Sequence, residues 1–190
     1  MYDQLSGLNI DEKQENLEQL VADLKQAGYA ELAQKVNAKN EALRRQLKPI
    51  YKDLPRCVFQ GDENFSNLCV DENDQIVGLF DFNMSGTEVI ANYLANNAFM
   101  GHFCYEDEIL DKHTPKEVLQ ILLDAFHQST ALIREHYSFT EPEYSAYQNY
   151  GKIAMVSAYW NTSTFAEYLK QEKYKEKIAA IIALILDENL

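Results

Sequence analysis

Apolar residues recur at helical spacing through most of this 190-residue chain, and the pattern breaks once, between Arg56 and Phe82. Before the break, Leu17, Leu20, Val21 and Leu24 mark one amphipathic helix, opened by the capping-box pair Asn9 and Glu12 and stopped by Gly28. A second helix runs from about Tyr29 to Lys48, with Leu32, Val36, Leu43 and Leu47 on one side and Pro49 just past its end. Two such helices cannot bury their stripes on each other alone, so they must lean on something further along. Inside the break, Cys57-Val58-Phe59, Leu68-Cys69-Val70 and Ile76 to Phe80 are short runs of strand type, and Asp71 to Gln75 is a polar hairpin loop between the last two. From Thr87 the helical period returns with Val89, Ile90, Tyr93 and Leu94. Thr114-Pro115-Lys116-Glu117 is the clearest helix start, Thr140-Glu141-Pro142-Glu143 is another, and a last helix carries Phe165, Tyr168, Leu169, Ile178, Ile181, Ile182 and Ile185. The expected fold is mainly α with a minor β part (α+β): one domain over 1–190, made of a helical hairpin (1–55), a loop and one small β-hairpin (56–82) and a helical subdomain (83–190).

Composition narrows what such a domain can bind. Only seven Gly and four Pro agree with a helical chain, and a formal charge of −13 repels phosphate backbones and anionic lipid, so neither nucleic acid nor membrane is an expected partner. The N-terminal MYDQLSGLNIDEKQ has no basic and apolar pattern of a secretory signal, and the apolar run Ile178 to Leu186 is too short for a bilayer that needs about 20 residues. Cys57, Cys69 and Cys104 show no C-x-x-C spacing, which argues against a disulfide framework or zinc site and for a reducing cytoplasm. Cys57 and Cys69 are read as small buried fillers of their strands. His102, His113, His127 and His136 have no spacing that makes a metal face and are read as ordinary core or surface histidines. Tyr144, Tyr147, Tyr150 and Tyr159 are read as core and rim packing, although aromatic rings on an acidic surface also suit a cationic substrate.

The chemistry is concentrated in Gln60 to Phe82, QGDENFSNLCVDENDQIVGLFDF. Asp62 and Asn67 lie five residues apart in one loop, and the strand returning from the hairpin delivers Asp81 just before Phe82. Three oxygen-bearing side chains converging there suit Mg²⁺, a hard cation that takes few protein carboxylates and completes its shell with water and phosphate oxygens. They also suit phosphoryl transfer, in which a protein contributes mainly positioning and charge neutralisation.

At these residues the chain resembles the C-terminal lobe of the aminoglycoside phosphotransferase and choline kinase superfamily, relatives of the protein kinases. That family's signature is His-Gly-Asp, four residues, Asn, a short hairpin and then Asp-Phe, followed by helices. The resemblance implies a protein-kinase-like C-lobe in which Asp62 is the catalytic aspartate steering the substrate hydroxyl, while Asn67 and Asp81 are the metal ligands. It implies ATP and Mg²⁺ as cofactors and transfer of the γ-phosphoryl group to a hydroxyl of a small, possibly cationic, molecule. Gln60 stands where the family has histidine, so an amide must tie down the catalytic loop, and Asn92-Tyr93-Leu94-Ala95 stands near the family's Asp-Leu-Ala. Neither a G-x-G-x-x-G loop nor a G-x-x-x-x-G-K-[ST] loop occurs. The small nucleotide-binding lobe is therefore expected to be absent from the chain, which is then either cut or encoded apart from a nucleotide-binding half or a relic that keeps the carboxylates without turnover; weak activity of the chain alone is expected, and apolar stripes left bare by the missing lobe favour homo-oligomers. Two competing readings use the same residues: a non-catalytic helical module that binds a ligand or partner, and a Mg²⁺-dependent hydrolase with a positioned water.

Overall fold

The computed structural model describes residues 12–62, 65–99 and 105–188. Asn9, and with it the expected first cap, lies outside the described residues, as do His102 and Cys104. Helix α1 (Glu12–Gln26) and helix α2 (Ala30–Leu47) pack on one another. Between them Gly28 takes φ +94°, a left-handed value that glycine adopts without steric cost, and Tyr29 N–H donates back to the Leu24 carbonyl at 2.8 Å. The stripes expected from the sequence face inward: Leu17, Leu20, Leu24, Val36, Leu43 and Leu47 are all buried.

The helices that cover those stripes come from the far end of the chain. Helix α6 (Glu141–Ser157) touches α1, α2 and α3 (Ile90–Asn97), as well as α7 (Tyr159–Leu169) and α8 (Lys175–Asp187). Its second half is buried almost all round, from Tyr150 and Gly151 through Ile153 to Ser157. Helix α5 (Pro115–His136) packs on α8, and short α4 (Asp107–Lys112) precedes it. Both expected starts are real capping boxes: Thr114 with Glu117, and Thr140 with Glu143, each with proline in the first turn. The single last helix of the sequence reading is two helices. The polar segment 170–174 turns between them, with Gln171 N–H bonded to the Tyr168 carbonyl and Lys175 N–H to the Gln171 carbonyl. In α8 the apolar run buries Ile178, Ile181, Ile182, Ile185 and Leu186, as its near-continuous hydrophobicity requires. No described helix is long and apolar enough to cross a membrane.

The β part is a minor one, as expected, but it comprises two ribbons. Strands β2 (Leu68–Val70) and β3 (Ile76–Leu79) form the anticipated hairpin, pairing Leu68 with Leu79 and Cys69 with Gly78, with a bulge before Val70. Its loop is an Asx-type turn: the Asp71 carboxylate accepts from Asn73 N–H at 2.8 Å and Gln75 N–H at 2.9 Å, which holds its pKa low. Strand β1 (Arg56–Phe59) pairs instead with β4 (Gly86–Val89), which the sequence reading assigned from Thr87 to the start of a helix. The strand is only four residues long and α3 begins at the next residue, so its apolar Val89 is shared between two periods. Gly86 is closely packed, because a Cβ there would sit 3.0 Å from the Phe59 ring, which would have to shift slightly to admit one.

Cys57 and Cys69 are not the buried fillers expected from the sequence; both are half-exposed. The β2–β3 ribbon projects from the helices instead of packing under them. Of the exposed large apolar side chains among the described residues, all but Leu132 and Tyr159 lie between Val58 and Met84, with Phe65 95% and Val58 81% exposed.

Candidate active site

Asp62 follows β1, Asn67 ends the short 3₁₀ turn Phe65–Asn67 that leads into β2, and Asp81 follows β3. The loop before β2 and the loop after β3 are therefore brought side by side by the ribbon's own pairing, and Phe80 N–H donates to the Asn67 carbonyl at 2.9 Å. One buried side chain then fastens both loops to β1. The Gln60 amide nitrogen donates to the Phe80 carbonyl at 2.7 Å and to the Asp81 carbonyl at 2.5 Å, while the Gln60 amide oxygen accepts from the Asp62 backbone N–H at 2.6 Å. Gln60 is buried. Donor and acceptor ends of one planar amide thus set the spacing between the backbone of Asp62 and that of Asp81.

Asn67 closes the same knot from the other side. Its side-chain nitrogen donates to the Asp62 carbonyl at 2.8 Å and to the Asp62 carboxylate Oδ2 at 3.0 Å. With that nitrogen committed to Asp62, the other polar atom of the Asn67 side chain is an amide oxygen, a hard acceptor. Asp81 is exposed and takes φ +55°, a left-handed conformation that Asp tolerates better than most residues. Its Oδ1 lies 3.4 Å from the Asn83 N–H.

Gly61, unremarked in the sequence, is the tightest point of the site. It has φ +90°, and a Cβ there would lie 2.4 Å from the Met84 carbonyl oxygen. Only glycine fits, since both the backbone angle and the close approach exclude a side chain. The signal available in the sequence was the glycine itself, set between Gln60 and Asp62.

Neighbouring polar residues serve structure. Asn92 is buried on α3 and accepts from Lys13 Nζ at 2.8 Å and from Asn96 Nδ2 at 3.3 Å, which ties the start of α1 to α3. Glu88 is buried on β4, and its carboxylate accepts from Val89 N–H at 2.7 Å. Across the ribbon from it, burial and then the Glu88 charge push the Cys57 thiol above its ordinary pKa, the opposite of the shift that activates a cysteine nucleophile. Among the described residues no group of three or more His, Cys, Asp and Glu side chains is placed to hold a metal ion. The donor set at Asp62, Asn67 and Asp81 is two carboxylates and an amide, too few for an all-protein cage. It fits a cation that brings phosphate and water oxygens with it, as Mg²⁺ does.

Residues 6–94 match the phosphotransferase enzyme family. No curated protein and no solved structure gives a significant match to the chain. The phosphotransferase match begins before α1, includes Gln60, Asp62, Asn67 and Asp81, and ends within α3, so the knot around Gln60 falls inside it.

Proposed function

We propose that this chain is the larger, helical lobe of a small-molecule kinase, transferring the ATP γ-phosphoryl group to a substrate hydroxyl with Mg²⁺. The observation that carries the reading is the Gln60 clamp, which bonds the backbone at Asp62 and at Asp81 through one buried amide. That clamp gives the two carboxylate-bearing loops a fixed relation inside the phosphotransferase-family segment. Asp62 is the residue that orients the acceptor hydroxyl and takes its proton, and the hydrogen bond from Asn67 holds its carboxylate in one rotamer for that task. The Asn67 amide oxygen and the Asp81 carboxylate would hold Mg²⁺, which when bound neutralises charge on the nucleotide phosphates. The nucleotide's other side is completed by a small lobe supplied outside the described residues. The acceptor is a small hydroxyl compound, with a cationic one favoured by the chain's charge of −13.

The test is a phosphoryl-transfer assay on the full chain, with γ-labelled ATP, Mg²⁺ and a panel of amino-alcohols and sugars. A labelled product whose formation falls at least about 100-fold in Asp62→Asn supports the assignment, the usual scale for losing a general base. Transfer that is unchanged in Asp62→Asn contradicts it.

A further inference from the structure

We propose that the cavity where the C-terminal ends of α1 and α7 meet is a binding site for a small primary ammonium compound, with Asp23 as its anchor. The inference does not rest on the phosphotransferase reading. Asp23 lies about 15 Å along α1 from Lys13, whose side chain bonds Asn92 on α3, so the cavity is at the opposite end of α1 from that contact. It measures about 280 Å³, smaller than the pockets that take drug-sized ligands. Gln26 and Ala27 bring the end of α1 to it, Leu169 and Lys170 the end of α7, and Asp23 and Ala166 line it one turn further in.

Asp23 is 9% exposed. Its Oδ1 accepts from the Gln19 amide at 3.0 Å, whereas its Oδ2 is buried with no hydrogen-bond partner among the described residues. A buried carboxylate oxygen without a donor is costly, and a cationic N–H relieves it best. The helix ends select the same charge, because each presents the negative end of its dipole, which favours a cation and disfavours an anion. The chain's own cations do not fill the role. Lys175 also lines the cavity, but its Nζ is held on Glu172 at 2.7 Å; Lys170 is exposed, and among the described residues no ion pair joins it to Asp23. A divalent metal is not the occupant either, since no described group of three or more His, Cys, Asp and Glu side chains is placed to hold one. A primary ammonium on a short alkyl chain matches what remains. Its three N–H donors serve Asp23 and helix-end carbonyls, and its methylenes lie against Ala27, Ala166 and Leu169.

The probe is butylammonium chloride, titrated into the full chain without nucleotide and followed by amide chemical shifts and melting temperature, with sodium butyrate and potassium chloride as controls. The proposal expects saturable shifts at Asp23, Ala27 and Leu169 and a rise in melting temperature with butylammonium alone. Asp23→Asn, which keeps the side-chain shape and removes the charge, is expected to weaken binding at least about tenfold. Ala166→Leu, at a half-buried position, fills the cavity with Asp23 intact and is expected to weaken binding as well. Equal shifts with potassium chloride, which would mean ionic strength alone, overturn the proposal, as does unchanged binding in either folded variant. So does a native chain that shows no saturable shift while Lys170→Ala lowers its melting temperature, because Lys170 would then be the partner of Asp23.

Discussion

The side chain of Gln60 and the backbone of Asp81 are joined by a 2.5 Å hydrogen bond across a sequence gap of 21 residues. The whole β2–β3 ribbon lies in that gap, so this contact closes the loop that the ribbon forms. With the bond from Asp62 N–H to the same side chain, Gln60 takes the bracing role that the resemblance gives to a histidine.

Replacing Gln60 by Ala leaves the Asp62 N–H and the Phe80 and Asp81 carbonyls without their partner. Leaving buried polar groups unmade costs about 1–3 kcal/mol each at most, and water reaching this half-buried loop recovers part of it. Gln60→Ala is therefore expected to lower unfolding free energy by about 1–3 kcal/mol in urea titration. Gln60→Glu keeps the acceptor towards Asp62 but sets a carboxylate oxygen against the Phe80 and Asp81 carbonyls, and is expected to destabilise at least as much as Gln60→Ala at neutral pH.

Gly61→Ala tests the close approach directly. The left-handed backbone alone costs a residue with a Cβ about 1–2 kcal/mol, and contact with the Met84 carbonyl adds to it. The loop must shift to relieve that contact. We expect a lower melting temperature together with changed amide chemical shifts at Met84 and Asp62, whereas Gly28→Ala, with open space around its Cβ position, is expected to show only the backbone cost.

The capping box of α5 gives a pH dependence. The Glu117 carboxylate accepts from Thr114 N–H at 2.7 Å and from the Thr114 hydroxyl at 2.9 Å, and these bonds, the backbone one foremost, hold its pKa below the usual 4.5. A carboxyl depressed in the folded state stabilises fully above its unfolded value and loses that contribution as pH falls through the folded one. Glu117→Gln is thus expected to destabilise at neutral pH and to flatten the acid limb of the melting-temperature profile below about pH 4.5. Thr114→Ala removes the cap hydroxyl and is expected to cost about 1 kcal/mol at neutral pH.

Much of this was legible from residue patterns. The stripes of α1 and α2, the two capping boxes and the turn formers of Asp71 to Gln75 are local signals, each resolved within one or two turns of chain, and the structure follows them. The family resemblance was legible because Asp62, Asn67 and Asp81 keep their spacing across a hairpin. Non-local features were not. Strand β4 is four residues long and fused to α3, so its partnership with β1 exists only in the folded chain. The same holds for α6 as the central helix, since what surrounds it comes from both ends of the sequence. The exposure of the ribbon was hidden for a related reason: Val70, Ile76 and Val77 read in sequence only as strand residues, and only the fold reveals that they are exposed.

The most direct measurement is the melting temperature of the full chain with and without millimolar Mg²⁺-ATP, compared between the native sequence and Asp81→Ala. Ligand that binds only the folded state raises that temperature, the more so the further its concentration exceeds the Kd. The account predicts a rise that requires Mg²⁺ and disappears in Asp81→Ala, each protein being compared with its own ligand-free melting temperature, because Ala tolerates the φ of +55° less well than Asp and lowers that baseline. A rise of equal size in Asp81→Ala would contradict it.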